Sequence, residues 1–168
     1  MNRLKTLLIL AIGTVLSGGA LAQDNTIAFG PAGYDAKAAI EIISDAFSIS
    51  QDRNIAEFSG NVVVAQGDMR LSAGNILVEY TPGEGDEQGR IARMIASGGV
   101  TLAAGSEAAE ADRAVYEVEA RRIVLEGDVL LTQGQNALAG QKAVIDLADG
   151  SARFEGRVKT VFRTGGSE

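Results

Sequence analysis

Carboxylates are the one potentially catalytic side-chain class this chain carries in number: 22 Asp and Glu, against no Cys and no His. Without His the commonest general base and metal ligand is gone, and without Cys there is no thiolate nucleophile, disulfide or thiolate metal site. The catalytic chemistry left open is an acid pair of the glycosidase type, which needs two carboxyls about 5 to 10 Å apart in one pocket. No spacing among the acids selects such a pair, so the sequence predicts no enzyme, no catalytic residue, no metal site and no cofactor. Arg70, Arg93, Arg113 and Lys142 could meet phosphate at a groove mouth, but scattered cations read first as solvated surface charge. A net charge of −7 with no basic run makes nucleic acid a poor partner.

The elements that would have to position any site are announced by a repeat. Phe58-x-Gly60-x-Val62-x-Val64, Ala96-x-Gly98-x-Val100-x-Leu102, Leu125-x-Gly127-x-Val129-x-Leu131 and Phe154-x-Gly156-x-Val158-x-Thr160 share one template, their glycines 38, 29 and 29 residues apart. Recurrence at such a period marks a stacked array rather than a fold built around one unique cleft. Apolar residues at every second position place each row on one face of a strand. A glycine in that row has two readings: it permits a bend or a close backbone approach, or it widens a slot between sheets.

Each unit has a return half. Polar turns at Gln66-Gly67-Asp68, Ala104-Gly105-Ser106 and Gln133-Gly134-Gln135 lead to Leu71-x-Ala73, Ala109-x-Ala111 and Leu138-x-Gly140. Three residues further on begin Ile76-x-Val78-x-Tyr80, Ala114-x-Tyr116-x-Val118 and Ala143-x-Ile145-x-Leu147. A step of three reverses a strand's facing, so a bulge or corner is predicted near Gly74, Asp112 and Gln141, where the strand passes from one sheet to its partner. The nine-residue excess of the first spacing matches the Pro-, Gly- and acid-rich stretch Thr81–Gly89, an inserted hairpin tip. Residues 107–122 are rich in Ala, Glu and Arg and suit a helix by propensity, but they align with strands in the other copies, and the period takes precedence. The predicted class is all-β: an open, twisted jelly roll of two stacked antiparallel sheets built from repeated hairpins.

The chain begins as an exported one does. Asn2, Arg3 and Lys5 precede the short apolar run Leu7–Leu16, and Ala20-Leu21-Ala22 offers a small-x-small site, predicting a signal peptide over residues 1–22 cleaved after Ala22. Losing Arg3 and Lys5 takes the net charge to −9. Residues 23–38, with Gly30-Pro31-Ala32-Gly33 and no sustained period, read as an extended lead-in or flexible N-terminal arm. A single domain follows over 39–163, with a tail at 164–168.

The repeated face is where a function would reside. Phe58, Val62, Val64, Leu71, Ile76, Val78, Met94, Val100, Leu102, Leu125, Val129, Leu131, Ile145, Phe154 and Val158 are predicted to face inward. Such a surface either packs as a dry core, making the chain a structural envelope scaffold, or forms a channel suited to alkyl chains. At roughly 0.8 kcal/mol per methylene, sheltering one ~12-carbon chain is worth on the order of 10 kcal/mol before association costs. A jelly roll that does not close also leaves edge strands, here around Ile40, Ile42, Phe47 and Ile49 at one end and Val158, Thr160 and Phe162 at the other. Their charged neighbours Glu41, Asp45, Arg157 and Lys159 suit either a docking role or protection against aggregation.

The stretch Ala56–Tyr80, AEFSGNVVVAQGDMRLSAGNILVEY, resembles the organic-solvent-tolerance-like (OstA-like) family of periplasmic lipopolysaccharide-transport bridge proteins. The Phe58–Val62 FSGNV run, the Gln66-Gly67-Asp68 turn with Leu71, and the lead-in from Ile40 to Ile49 carry the likeness, which the weaker Gly-x-Val copies extend to Val161. The chain departs from the family pattern at Ala39-Ile40, where a proline is usual, and at Ile43-Ser44-Asp45, a less polar step. The resemblance implies periplasmic units that stack head to tail and shelter the acyl chains of the lipid A part of lipopolysaccharide. It further implies that they link inner-membrane and outer-membrane transport components through their edge strands.

Overall fold

The computed structural model describes residues 26–29, 35, 37–83 and 89–162; the predicted signal peptide, the 84–88 part of the acidic loop and the 164–168 tail lie outside these. Eleven strands and no helix form among the described residues: β1 (Thr26–Ala28), β2 (Ile40–Ile43), β3 (Ala46–Ser50), β4 (Ile55–Gln66), β5 (Met69–Thr81), β6 (Arg90–Ala104), β7 (Glu107–Glu117), β8 (Arg122–Gln133), β9 (Asn136–Asp146), β10 (Ser151–Glu155) and β11 (Lys159–Val161). The stretch with helical propensity is β7, paired on both sides. Inter-strand hydrogen bonds and a buried apolar face outweigh a per-residue helix preference of a few tenths of a kcal/mol.

All neighbours are antiparallel, and β4 to β9 follow one another in chain order, as hairpin connections require. Each of these long strands is divided by a register shift. Ser59 pairs with Asn75 and Val62 with Ala73, so Gly60 and Asn61 lie opposite Gly74 alone. Gly98–Gly99 face Asp112, and Gly127–Asp128 face Gln141, in the same two-against-one manner. The corner thus falls where the step of three predicts it, but the extra residue belongs to the glycine strand and not to the return strand.

Backbone geometry explains the glycines. Gly60, Gly98, Gly127 and Gly156 have φ of 77°, 83°, 80° and 75°, a region that costs other residues roughly 1–2 kcal/mol. At Gly60 an added Cβ would lie 2.6 Å from Asp45 Oδ2; at Gly127 it would run into the Asp112 carboxylate. Close approach of the adjoining strand therefore accounts for these positions. The alternative, a ladder of missing side chains widening a slot between sheets, is overturned: the neighbouring atoms belong to the adjacent strand at the corner and not to the opposite layer.

Beyond the corners the halves of the strands form two layers. Layer I holds β3, the Ile55–Ser59 half of β4, the halves of β5 to β9 paired with it, β10 and β1. Layer II holds β2, the Val62–Gln66 half of β4, the remaining halves and β11. One cluster of buried side chains lies between them, drawn from both layers. Opposite the corners no paired strand crosses between the tips of the two layers; the chain passes there once, from Phe29 beside Gly150 of layer I to Ile40 beside Gln66 of layer II. Within the 23–38 segment, expected as an extended lead-in or flexible arm, the described residues 26–29 are extended: β1 lies along β10, Phe29 N–H donates to Gly150 O at 2.8 Å, and the Phe29 ring is buried.

Candidate functional site

The inward rows fall as the period of two dictates. Val62, Val64, Leu71, Val100, Leu102, Val129 and Leu131 point in from layer II, and Ile76, Val78, Met94, Leu125, Ile145 and Phe154 from layer I; every one is buried. Phe58 and Val158 are half-buried against the same cluster. The two faces meet. The space enclosed between Val64, Met69 and Leu71 of one layer and Ile76, Met94, Ala96, Ala114 and Ile123 of the other is about 10 Å³, roughly one water-sized probe. The channel envisaged from the sequence is therefore filled by side chains, because Val, Leu, Ile and Met from both layers interdigitate at the density of a protein core.

One polar side chain interrupts this interior. Gln66 continues the row Val62, Val64 at the tip of β4 and is the only buried polar residue among the described residues, 4% exposed. Its Oε1 accepts from the Tyr116 hydroxyl across the layers at 3.0 Å, and its Nε2 donates to Ala38 O at 3.2 Å. Burial of an amide is tolerable only with such partners. Outside this pair, a cleft of about 530 Å³ opens between the tips of the layers, lined by Ala38, Ile40 and Gln66 on one side and Thr81, Arg90, Ile91, Ala92, Val118 and Glu119 on the other. Sequence reading took Gln66 as part of a polar turn; its even-numbered place in the inward row was the signal that it faces the core.

The cations singled out as phosphate candidates occupy the outer surface. Arg93 pairs with Glu79 at 2.7 Å, Arg113 with Glu126 at 2.9 Å and Lys142 with Glu155 at 3.9 Å, each across neighbouring strands. Arg70 donates to the Gly67 and Met69 carbonyls of its own turn. These exposed pairs are worth about 0–1 kcal/mol each. Glu110, Asp112 and Asp128 share a shallow hollow on the outside of the corner, away from the inner face. The lining of the interior space holds no carboxylate.

The edge residues divide. Ile40 and Ile42 of β2 are half-buried against the core, whereas Phe47 and Ile49 of β3 are 57% and 59% exposed, with Ile43 beside them at 69%. The Phe47 ring rests on Phe58 at 4.9 Å between centroids. At the far end Thr160 is exposed and Phe162 is 64% exposed, next to Val161 at 47%. β2 and β3 each pair with β4 on one side, and β11 with β9; their other sides carry no strand among the described residues. Large apolar side chains beside unpaired strands are what a strand-adding interface presents.

Comparison with known proteins agrees with this architecture. The crystal structure of LptH, the LptA-homologous periplasmic component of the conserved lipopolysaccharide transport device of Pseudomonas aeruginosa, superposes with a TM-score of 0.68 over 78% of this chain and 99% of that one, at 18% identity. An uncharacterised protein of Rhizobium meliloti (strain 1021) is 33% identical over 127 residues, covering 71% of this chain and 68% of its own length. Residues 41–159 match the family model described as LptA/(LptD N-terminal domain) LPS transport protein, a span that takes in β3 to β10 and the corners between the layers. The chain belongs to the LptA/LptD N-terminal domain family of lipopolysaccharide transport proteins.

Proposed function

We propose that this protein is a non-catalytic periplasmic carrier that shelters the acyl chains of lipopolysaccharide between its two layers. The observation that supports this most is the apolar inner face, interrupted only by Gln66 among the described residues, between layers whose long strands cross from one to the other only at the corners. Two layers hinged along one side can part without breaking any ladder pairing within a layer. Since the interior is filled, a guest chain must separate the layers and replace side-chain contacts with its own methylenes, a near-balanced exchange of like for like. A passive carrier of this kind equilibrates its cargo, so net direction comes from an energised partner. We further propose that the β2/β3 edge of one copy adds to the β1/β11 end of the next. The same edges would link the array to inner-membrane and outer-membrane transport components, with export directed by residues 1–22.

A filled interior also suits a second reading, a structural envelope module without cargo. Native mass spectrometry of the protein purified from its own envelope separates the two. Co-purified lipopolysaccharide supports the carrier; a chain of unliganded mass that also fails to take up lipid A in vitro supports the scaffold.

A further inference from the structure

We propose that the Gln66–Tyr116 hydrogen bond is a latch on a lateral mouth, through which the alkyl chains of an anionic amphiphile pass between the layers; this rests on the carrier reading above. Three observations converge on the place. Gln66 is the one residue that lines both the enclosed interior space and the 530 Å³ cleft outside it. Its bond to Tyr116 joins the tips of the two layers directly, on the side opposite the corners, where no paired strand crosses from one layer to the other. The cleft is apolar at its base, with Ile40, Ile91 and Val118 half-buried on the core, and carries the exposed Arg90 and Glu119 at its rim.

The dimensions fit an alkyl chain. Pockets for small ligands run from about 300 to 1,000 Å³, and this cleft lies within that range. Apolar chains would lie along Ile91 and Val118 while an acidic headgroup stays in water beside Arg90. Immediately inside Gln66 and Tyr116 lie Val64, Leu71 and Ile76, the start of the inner face. A buried hydrogen bond at a threshold holds the layers together in water yet costs only a modest free energy to open, since its net contribution is about 1 kcal/mol. Such a contact suits a closure that must be opened repeatedly better than an equal area of interlocked side chains does.

The test follows a fluorescent 12-carbon fatty acid, below its micelle concentration, binding to the full-length mature protein by stopped-flow. Tyr116→Phe removes one hydroxyl and Gln66→Leu the amide; each is expected to raise the association rate roughly fivefold, the equivalent of one net hydrogen bond. Because both remove the same bond, the double variant should be no faster than the faster single one. Ala92→Trp, at an exposed position that tolerates bulk, should narrow the cleft and slow association about tenfold with the unfolding midpoint unchanged. Variants that lose stability without binding faster would show the pair to be only structural. Wild-type binding at a rate indifferent to all three substitutions would place admission elsewhere and overturn the latch while leaving the carrier intact. Absence of binding by every form would overturn the carrier and the latch together.

Discussion

The two ends of the array are built from the same strand chemistry but finished differently. At the β2/β3 end both layers stop at strands with one unpaired side, and Ile43, Phe47 and Ile49 stand in water. At the other end the outermost strands are β1, which lies along β10, and β11, three residues each; Phe29, just past β1, is buried at 1% exposure, and Val161 and Phe162 stand exposed beside β11. Two ends that differ in the length of their edge strands and in the apolar side chains they expose suit the head-to-tail addition proposed above better than two-fold pairing of like ends.

The contrast can be broken most severely at the β1 end. Phe29→Ala should lower unfolding free energy by about 3 kcal/mol in a denaturant titration, as for other buried rings, whereas Phe47→Ala, on the exposed edge, should cost less than about 1.5 kcal/mol. Equal losses would mean that the ends do not differ. Next in size, replacing Phe47 and Ile49 together by Asp should weaken self-association at least tenfold by sedimentation equilibrium, about 1.4 kcal/mol, through charge placed on the adding edge. Val161→Asp acts on a single three-residue strand, and about threefold weakening is expected there; an effect as large as at β3 would shift the interface toward layer II. Glu79→Gln lies mid-array in an exposed ion pair, with side chains 32% and 44% exposed, and should change stability by less than about 0.5 kcal/mol and association not at all. A measurable change in association from Glu79→Gln would show that the flanks, and not the ends, meet.

Much of this was readable from residue order. The apolar rows at every second position picked out side chains that are buried between the layers, from Val62 to Phe154, and the step of three located each corner to within a residue or two. Which strand carried the bulge was not readable, because a parity slip records that two strands differ by one residue and not which of them holds it. Gln66 was passed over because a Gln before Gly-Asp reads locally as a turn, and its partner Tyr116 lies 50 residues away. The pairing of β1 with β10 was hidden for a related reason: three residues beside a Gly-Pro stretch have no period of their own, and only the free edge of a strand more than 120 residues later recruits them.

By itself the sequence determined the all-β class, the inward face and the repeat, since alternation and turn chemistry act between residues a few positions apart and are written directly in their order. The tertiary structure alone decided that the inner faces meet and fill the interior, that Gln66 and Tyr116 hold the tips of the layers together, and that β1 rather than β10 forms one outer edge. Those outcomes depend on the spacing and crossing of two layers and on competition for unpaired strand edges, quantities set by the folded whole and carried by no local pattern.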